Sequence, residues 1–404
     1  MTTKVIIDGS LFSECEMNRS KRSGMLRIAE EVAKNIIEND ELEVSFANTT
    51  YNKQHDELLR KFVYDNYPSH KNKVISKKPF FVSTIPKWGG LLKRLERRLS
   101  LGITVQEVER NDVFHSFYYP FPKNIQKDKI KKSLTFLDII PLRIGGYPEG
   151  LIDLTKKVIE SIAPNFAISI SEFSKRDLID YDNRICPERV FVAPLAASRK
   201  VFFQNKSSDE WQAVKIKYKL PDNYFLSVSS NDHRKNLPHL IKSFNKFIIQ
   251  EKLQDLYLVL TGNSTYRRSV LDELNINETV KKRIIITETY IDDEDLSVIY
   301  SNSLCFFFMS LYEGFGLPVL EAMQCGVPVV TSNTTSLPEV VGDAGIILPP
   351  SDEDALCGVM NEMYGSKELR DKYSRLGLER AKRFSWQRCA EEYANIFKRI
   401  ASTS

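Results

Sequence analysis

The sequence predicts an α/β protein built from two successive doubly wound, Rossmann-like domains. Three observations lead there. The chain has 404 residues, more than one ordinary core accommodates. Short β-rich runs alternate with helical patterns from one end to the other, the signature of parallel sheets covered by helices on both faces. The alternation lapses once, at "APLAASRKVFFQNKSSDEW" (193–211), where polar residues take over.

In order along the chain, "KVIID" reads as a strand and "GMLRIAEEVAKNIIE" as an amphipathic helix. "LEVSFA", "DVFHSF", "SLTFLDII" and "FAISIS" follow as strands, with helical stretches such as "EFSKRDLIDY" between them. Ser171, with Ser174 three residues on, marks the start of that helix as a cap. The second half supplies "YFLSVSS", "LYLVLTG", "RIIITETY", "LCFFFMS" and "VPVVTS", near-continuous apolar runs suited to strands buried on both faces. A final helix is expected over "WQRCAEEYANIFKRI". The expected division is 1–197, 198–382 and a closing segment 383–404.

A composition of 42% hydrophobic and 27% charged residues is that of a globular protein, not a disordered or fibrous one. The longest apolar run noted, "LCFFFM", is far short of a bilayer span. "MTTKVIIDGS" lacks the layout of a signal peptide, so a cytoplasmic location is expected. Six scattered cysteines with no C-x-x-C pair argue against a disulfide framework and a zinc site, and no metal is expected. The net charge of +4 is uneven: residues 51–100 carry +8 and leave −4 for the rest.

The stretch "SLYEGFGLPVLEAMQCGVPVV" (310–330) concentrates the chemistry. It reads as a strand end, a glycine loop and a helix "LPVLEAMQ", with Pro318 in the first turn and Gly326 at the C-terminal end. A loop that delivers the free N–H groups of a helix N-terminus suits phosphate. Glu313 lies on the loop, and Glu321 is expected in the first helical turn, so the pair can reach different parts of one elongated ligand. Helix-dipole complementation would explain Glu321 alone but not the loop glycines. A dinucleotide fingerprint is weak, because "GFGLPV" lacks the third small residue and "TSNTT" lacks the ribose-binding acid. Upstream, "VSSNDHRKN" brings Arg234 and Lys235 to a helix start, where two cations oppose the dipole unless an anion binds there.

E-G-F-G-L-P-V-L-E-A-M-x-x-G-x-P-V-V followed by "LPEVVGDAG" resembles the signature of retaining glycosyltransferases of family 4, and the resemblance extends over most of the chain. It implies the GT-B fold, two Rossmann-like domains facing each other across a cleft. It also implies an N-terminal acceptor domain, a C-terminal donor domain and a last helix that returns to the first domain. Glu313 with Gly314, Phe315, Gly316 and Leu317 would hold the donor sugar and Glu321 the nucleotide ribose, while Arg234 and Lys235 stabilise the departing diphosphate. Tyr290 and Ile291 would receive the base. Gly24, in the glycine turn of "SGMLRIAEEV", would face the phosphates, and Arg27 the acceptor. His115 in "VFHSFYYPFP" joins Arg27 as an acceptor-cleft candidate, although a lone histidine beside aromatics is more often a packing residue. "LTFLDIIPL" matches the family's H-D-x-x-P with Leu137 replacing the histidine that approaches the donor's C6 hydroxyl; Asp138 and Pro141 remain. A leucine would strand a desolvated hydroxyl, so a 6-deoxyhexose such as rhamnose or fucose is the favoured donor, with mannose as fallback.

The implied reaction is metal-independent transfer of a hexosyl unit from a nucleotide-diphosphate sugar to a glycan acceptor, a growing lipid-linked bacterial surface polysaccharide. No cofactor and no nucleic-acid partner are expected. The alternatives are a nucleotide-sugar epimerase or sugar-phosphate synthase of the same fold, or a non-catalytic sugar-nucleotide-binding subunit. Residues 86–101, "PKWGGLLKRLERRLSL", set an apolar helical face beside basic residues, which fits either an interfacial helix on anionic lipid, placing the chain peripherally at the inner face of a membrane, or a helix packed on its own domain with a solvated basic side.

Overall fold

The structure is a computed structural model that describes residues 2–17, 24–47, 53–70, 73–75, 110–122, 125, 130–229, 232–262, 264–287 and 291–403. The basic window 86–101 and Tyr290 lie outside the described residues. The chain divides into two compact units, Met1–Pro194 with Trp386–Ser404, and Leu195–Ser385. It crosses between them at 194/195 and 385/386, against the expected 197/198 and 382/383.

In the first unit the described strands are β1 (Thr3–Asp8), β2 (Leu42–Ala47), β3 (Val74–Ile75), β4 (Val113–Ser116), β5 (Lys131–Phe136), β6 (Phe166–Ser169) and β7 (Val190–Val192). They form one sheet, ordered β3-β2-β1-β4-β5-β6-β7, with every pair parallel. The second unit holds β8 (Tyr224–Val228), β9 (Tyr257–Thr261), β10 (Ile284–Ile286), β11 (Cys305–Phe308), β12 (Val329–Ser332) and β13 (Ile346–Leu348). Its order is β10-β9-β8-β11-β12-β13, again parallel throughout. Both sheets start in the middle and reverse once, which is the doubly wound arrangement the alternation predicts.

The helices form where the apolar stripe recurs every three to four residues. In Gly24–Ile37 the buried face is Leu26, Ile28, Ala29, Val32, Ala33 and Ile36. Glu172–Tyr181 starts at Ser171, whose Oγ accepts the Ser174 amide at 3.0 Å. The last helix, Trp386–Ser402, packs against the helix Gly24–Ile37 and the first unit's sheet, where Tyr393 and Phe397 meet His115 of β4. "SLTFLDII" is shorter as a strand than its apolar run: β5 ends at Phe136, because Asp138 Oδ1 accepts the Ile140 amide at 3.0 Å and turns the chain into the helix Ile140–Arg143.

His115 is a core residue, not a cleft residue. It sits on β4 with no exposed surface, its Nδ1 2.8 Å from Ser133 Oγ and its Nε2 3.0 Å from Thr135 Oγ1. Thr135 Oγ1 lies 2.8 Å from the Tyr393 hydroxyl, and the rings of Phe117 and Phe397 stand edge-on to the imidazole. The packing reading of a histidine beside aromatics is the right one. The network ties the last helix to β4 and β5.

Burial pushes the His115 pKa down to about 3, against an opposing hydrogen bond from Ser133. A folded pKa below the unfolded one means that the unfolded chain binds the extra proton, so stability falls as pH drops below about 6.5. The expected slope is up to about 1.4 kcal/mol per pH unit between pH 6.5 and 5. Urea unfolding of His115→Gln across that window should show a shallower slope, the remainder coming from His70 and His239, whose pKa values burial also lowers; an unchanged slope would contradict the assignment.

Candidate functional site

The second sheet reverses its order between β8 and β11, and ligands of doubly wound sheets bind outside the carboxyl ends of the strands at such a point. β8 is followed by the tight turn His233–Lys235, which opens the helix Leu237–Glu251. β11 is followed by the glycine loop, which opens the helix Leu317–Gln324. Strand order therefore brings together two segments about 78 residues apart in sequence.

Their meeting point is a buried charge cluster. Lys235 Nζ lies 2.5 Å from Glu313 Oε1 and Arg234 Nη1 lies 2.6 Å from Glu313 Oε2. Ser310 Oγ donates to Glu313 Oε1 at 2.7 Å. Arg234 is itself held: Nε donates to Asp232 Oδ2 at 3.0 Å and Nη1 to the Tyr312 carbonyl at 2.8 Å. Lys235 also sits 4.7 Å from the centroid of the Phe308 ring. Side-chain exposure is 7% for Lys235, 9% for Glu313 and 13% for Arg234, so the charges are mostly out of water.

Burial alone would raise the Glu313 pKa, but the charges of Lys235 and Arg234 outweigh it and hold the carboxyl below its ordinary range. Burial lowers the Lys235 pKa, with Arg234 adding to the effect and Glu313 opposing it. The two cations account for the direction at Glu313, and burial for the direction at Lys235. The arrangement keeps two positive charges side by side without water, so they can take up negative charge that develops on a ligand.

The glycine loop adds donors. Gly316 precedes the helix at φ +121°, and a Cβ there would meet Leu337 Cδ2 at 2.9 Å, so only glycine makes this turn. The amides of Phe315, Gly316 and Leu317 have no acceptor among the described residues, which leaves three consecutive N–H groups at the helix N-terminus. At the far end Gly326 (φ +71°) donates to Met323 O and Val327 to Ala322 O, a Schellman ending.

Glu321 needs a correction. The helix begins at Leu317, so Glu321 is its fifth residue rather than part of the first turn. It is buried, with the Tyr300 hydroxyl 3.4 Å from Oε2.

Arg234, Lys235 and Glu313 are thus in contact, with Gly314, Phe315, Gly316 and Leu317 next along the chain and Glu321 one turn further on. The Phe315 ring packs edge-on against Phe384, so only its backbone is available to a ligand. Ile291 is buried just before the helix Asp293–Asn302. Gly24, Arg27, Leu137 and Asp138 belong to the first unit. Gly24 is exposed at a helix start with open space around it, and Arg27 is half-buried on the same helix. Leu137 and Asp138 line a cavity of about 30 Å³ together with Tyr118, Thr135 and Thr155. Sequence reasoning missed Asp232, Ser310 and Tyr300. Asp232, two residues before Arg234, is legible as a turn cap; Ser310 and Tyr300 reach the glutamates only through tertiary packing.

The model of the family Glycosyl transferases group 1 matches residues 209–380. The O-antigen chain mannosyltransferase B of Escherichia coli is 34% identical over 290 residues, covering 70% of this chain and 75% of the relative. The chain belongs to the group 1 glycosyltransferases. The serotype-specific mannosyltransferase WbdA of Escherichia coli is 29% identical over 273 residues, 66% of this glycosyltransferase but 33% of WbdA. The crystal structure of Anabaena HepE in complex with UDP superposes with TM-score 0.66 at 15% identity, covering 98% of this chain and all of that one, which shows a shared GT-B fold. None of the described helices is long and apolar enough to cross a membrane.

Removing the carboxylate from this cluster would leave two buried cations facing each other. Glu313→Gln is expected to destabilise the protein by about 3–5 kcal/mol in urea unfolding, the scale of a broken buried pair. Gly316→Ala should cost about 1–3 kcal/mol from its backbone conformation. Wild-type stability for both would show that the loop adopts another geometry.

Proposed function

We propose that this glycosyltransferase moves a mannosyl unit from a nucleoside-diphosphate mannose to a growing bacterial surface polysaccharide, with retention of anomeric configuration and without a metal. The observation that carries the reading is the Arg234–Lys235–Glu313 cluster beside the open amides of Phe315, Gly316 and Leu317. When the bond between the anomeric carbon and the diphosphate oxygen breaks, negative charge collects on the diphosphate. Arg234, Lys235 and the helix amides take up that charge. The acceptor hydroxyl forms the new bond at the anomeric carbon and its proton leaves with the diphosphate. Glu313 keeps the cations charged and aligned beside the sugar, and Glu321 takes the ribose.

Mannose is the donor sugar that the relatives' names support, and the expectation of a 6-deoxyhexose gives way to it. A leucine at 137 would exclude a hydroxyl only within a purely apolar wall, whereas the space beside it is lined by Tyr118, Thr135, Asp138 and Thr155 as well as Phe136, Leu154 and Val158, so the residue type at 137 does not by itself exclude a hydroxyl. A lipid-linked acceptor would bring the protein to a membrane surface, for which residues 86–101 carry the basic and apolar pattern.

The test is transfer from GDP-mannose to a mannose-terminated lipid-linked glycan, run with and without chelator and with product configuration read by NMR. Wild-type enzyme should form an α-linked product at the same rate with chelator present. Arg234→Ala and Lys235→Ala should each lower kcat at least tenfold, the equivalent of about 1.4 kcal/mol of leaving-group stabilisation. Strict dependence on a divalent ion, or inversion at the anomeric carbon, would overturn the proposed chemistry.

A further inference from the structure

The segment "TSNTTS" (331–336), which follows β12, carries no acid and no cation, yet its hydroxyls converge on the glycine loop. Thr334 Oγ1 donates to the Ser310 carbonyl at 3.0 Å, with Ser332 Oγ 2.9 Å from Thr334 Oγ1 and also on that carbonyl. Thr335 Oγ1 accepts the Glu313 amide at 3.0 Å. Ser336 Oγ, fully buried, lies 2.9 Å from the Glu313 carbonyl and 2.7 Å from the Phe315 carbonyl, one of which it donates to at a time. The backbone of Glu313 is therefore held at its N–H by Thr335, while the Ser336 hydroxyl is shared between its carbonyl and that of Phe315.

Thr335 adds an independent observation. Its φ is +56°, a left-handed conformation that disfavours a β-branched residue and that glycine or asparagine would adopt with less strain. Strain of this kind persists where the surroundings impose it, and it clusters at functional sites. The conformation sets Thr335 Oγ1 against the Glu313 amide. A glycine would relieve the backbone and lose the acceptor.

We propose that Thr335 and Ser336 are positioning residues for catalysis, which act through the Glu313 backbone to aim its carboxylate between Arg234 and Lys235. The inference rests on the proposed role of that cluster in diphosphate departure. Neither residue touches the cations. Each removes a degree of freedom from the loop, so that the three charges are in place before the donor arrives.

The test compares Thr335→Gly, Thr335→Ser and Ser336→Ala by hydrogen exchange at the Glu313 amide, steady-state kinetics with GDP-mannose and melting temperature. Thr335→Gly should melt within a few degrees of wild type, yet exchange the Glu313 amide at least about tenfold faster and lose about tenfold or more in kcat, with the donor KM changed less than about threefold. Thr335→Ser keeps the hydroxyl and should restore both exchange protection and kcat. Should Thr335→Gly not fold, Ser336→Ala carries the same expectation through the Glu313 carbonyl. Wild-type exchange and kcat in the glycine variant would overturn the inference. So would a kcat loss that serine does not rescue. If the wild-type enzyme does not turn over GDP-mannose, the mannosyl reading fails, and the exchange measurement alone decides whether the segment holds Glu313.

Discussion

The second unit is organised around one buried carboxylate shared by two cations. Three charges this far out of water would be intolerable singly, and they are acceptable because Glu313 lies 2.5 Å from Lys235 and 2.6 Å from Arg234. That requirement fixes much else. Asp232 must hold the guanidinium, Phe308 must face the ammonium, and Ser310 must fill a remaining lone pair of Glu313. The glycine loop must also turn sharply enough at Gly316 to start a helix directly after it.

A parallel sheet with one reversal of strand order supplies the frame for this. The carboxyl ends of β8 and β11 lie side by side there, and the helices that follow both begin at that edge. The loop after β8 carries the cations and the loop after β11 carries the anion, so neither contains the site alone. Three open amides extend the positive potential beyond the charged trio toward any anion bound there. A site that stabilises charge in this way needs little motion at the moment of reaction, because its dipoles and cations are already oriented.

Much of the fold was legible because buried parallel strands leave a strong local trace. The strands β1, β2, β4, β6, β8, β9, β11 and β12 coincide with apolar runs, and the helices Glu172–Tyr181 and Leu317–Gln324 have the bounds that capping and periodicity imply. The short edge strands β3, β7 and β13 escaped, whereas β10, equally short, was marked by its run of three isoleucines. The family was legible from the spacing of two glutamates around two glycines. What the sequence hid were contacts made by folding. His115 could be read as a cleft residue or a packing residue, and only Tyr393 and Phe397, from the last helix, decide for packing. Of the residues around the small cavity beside Leu137, Tyr118, Leu154, Thr155 and Val158 come from outside its own strand and loop. The hydroxyls of Thr335 and Ser336 had no local signal at all, because their partners lie about 20 residues upstream.

The central claim is that Arg234 and Lys235, aligned by Glu313, form a diphosphate-binding centre. The most direct measurement is calorimetric titration of GDP and GMP against the wild-type protein and an Arg234→Ala, Lys235→Ala double variant. The wild type should bind the diphosphate at least about tenfold more tightly than the monophosphate, the equivalent of about 1.4 kcal/mol. In the double variant that ratio should fall to about one while GMP binding persists. An unchanged ratio in the double variant would contradict the account.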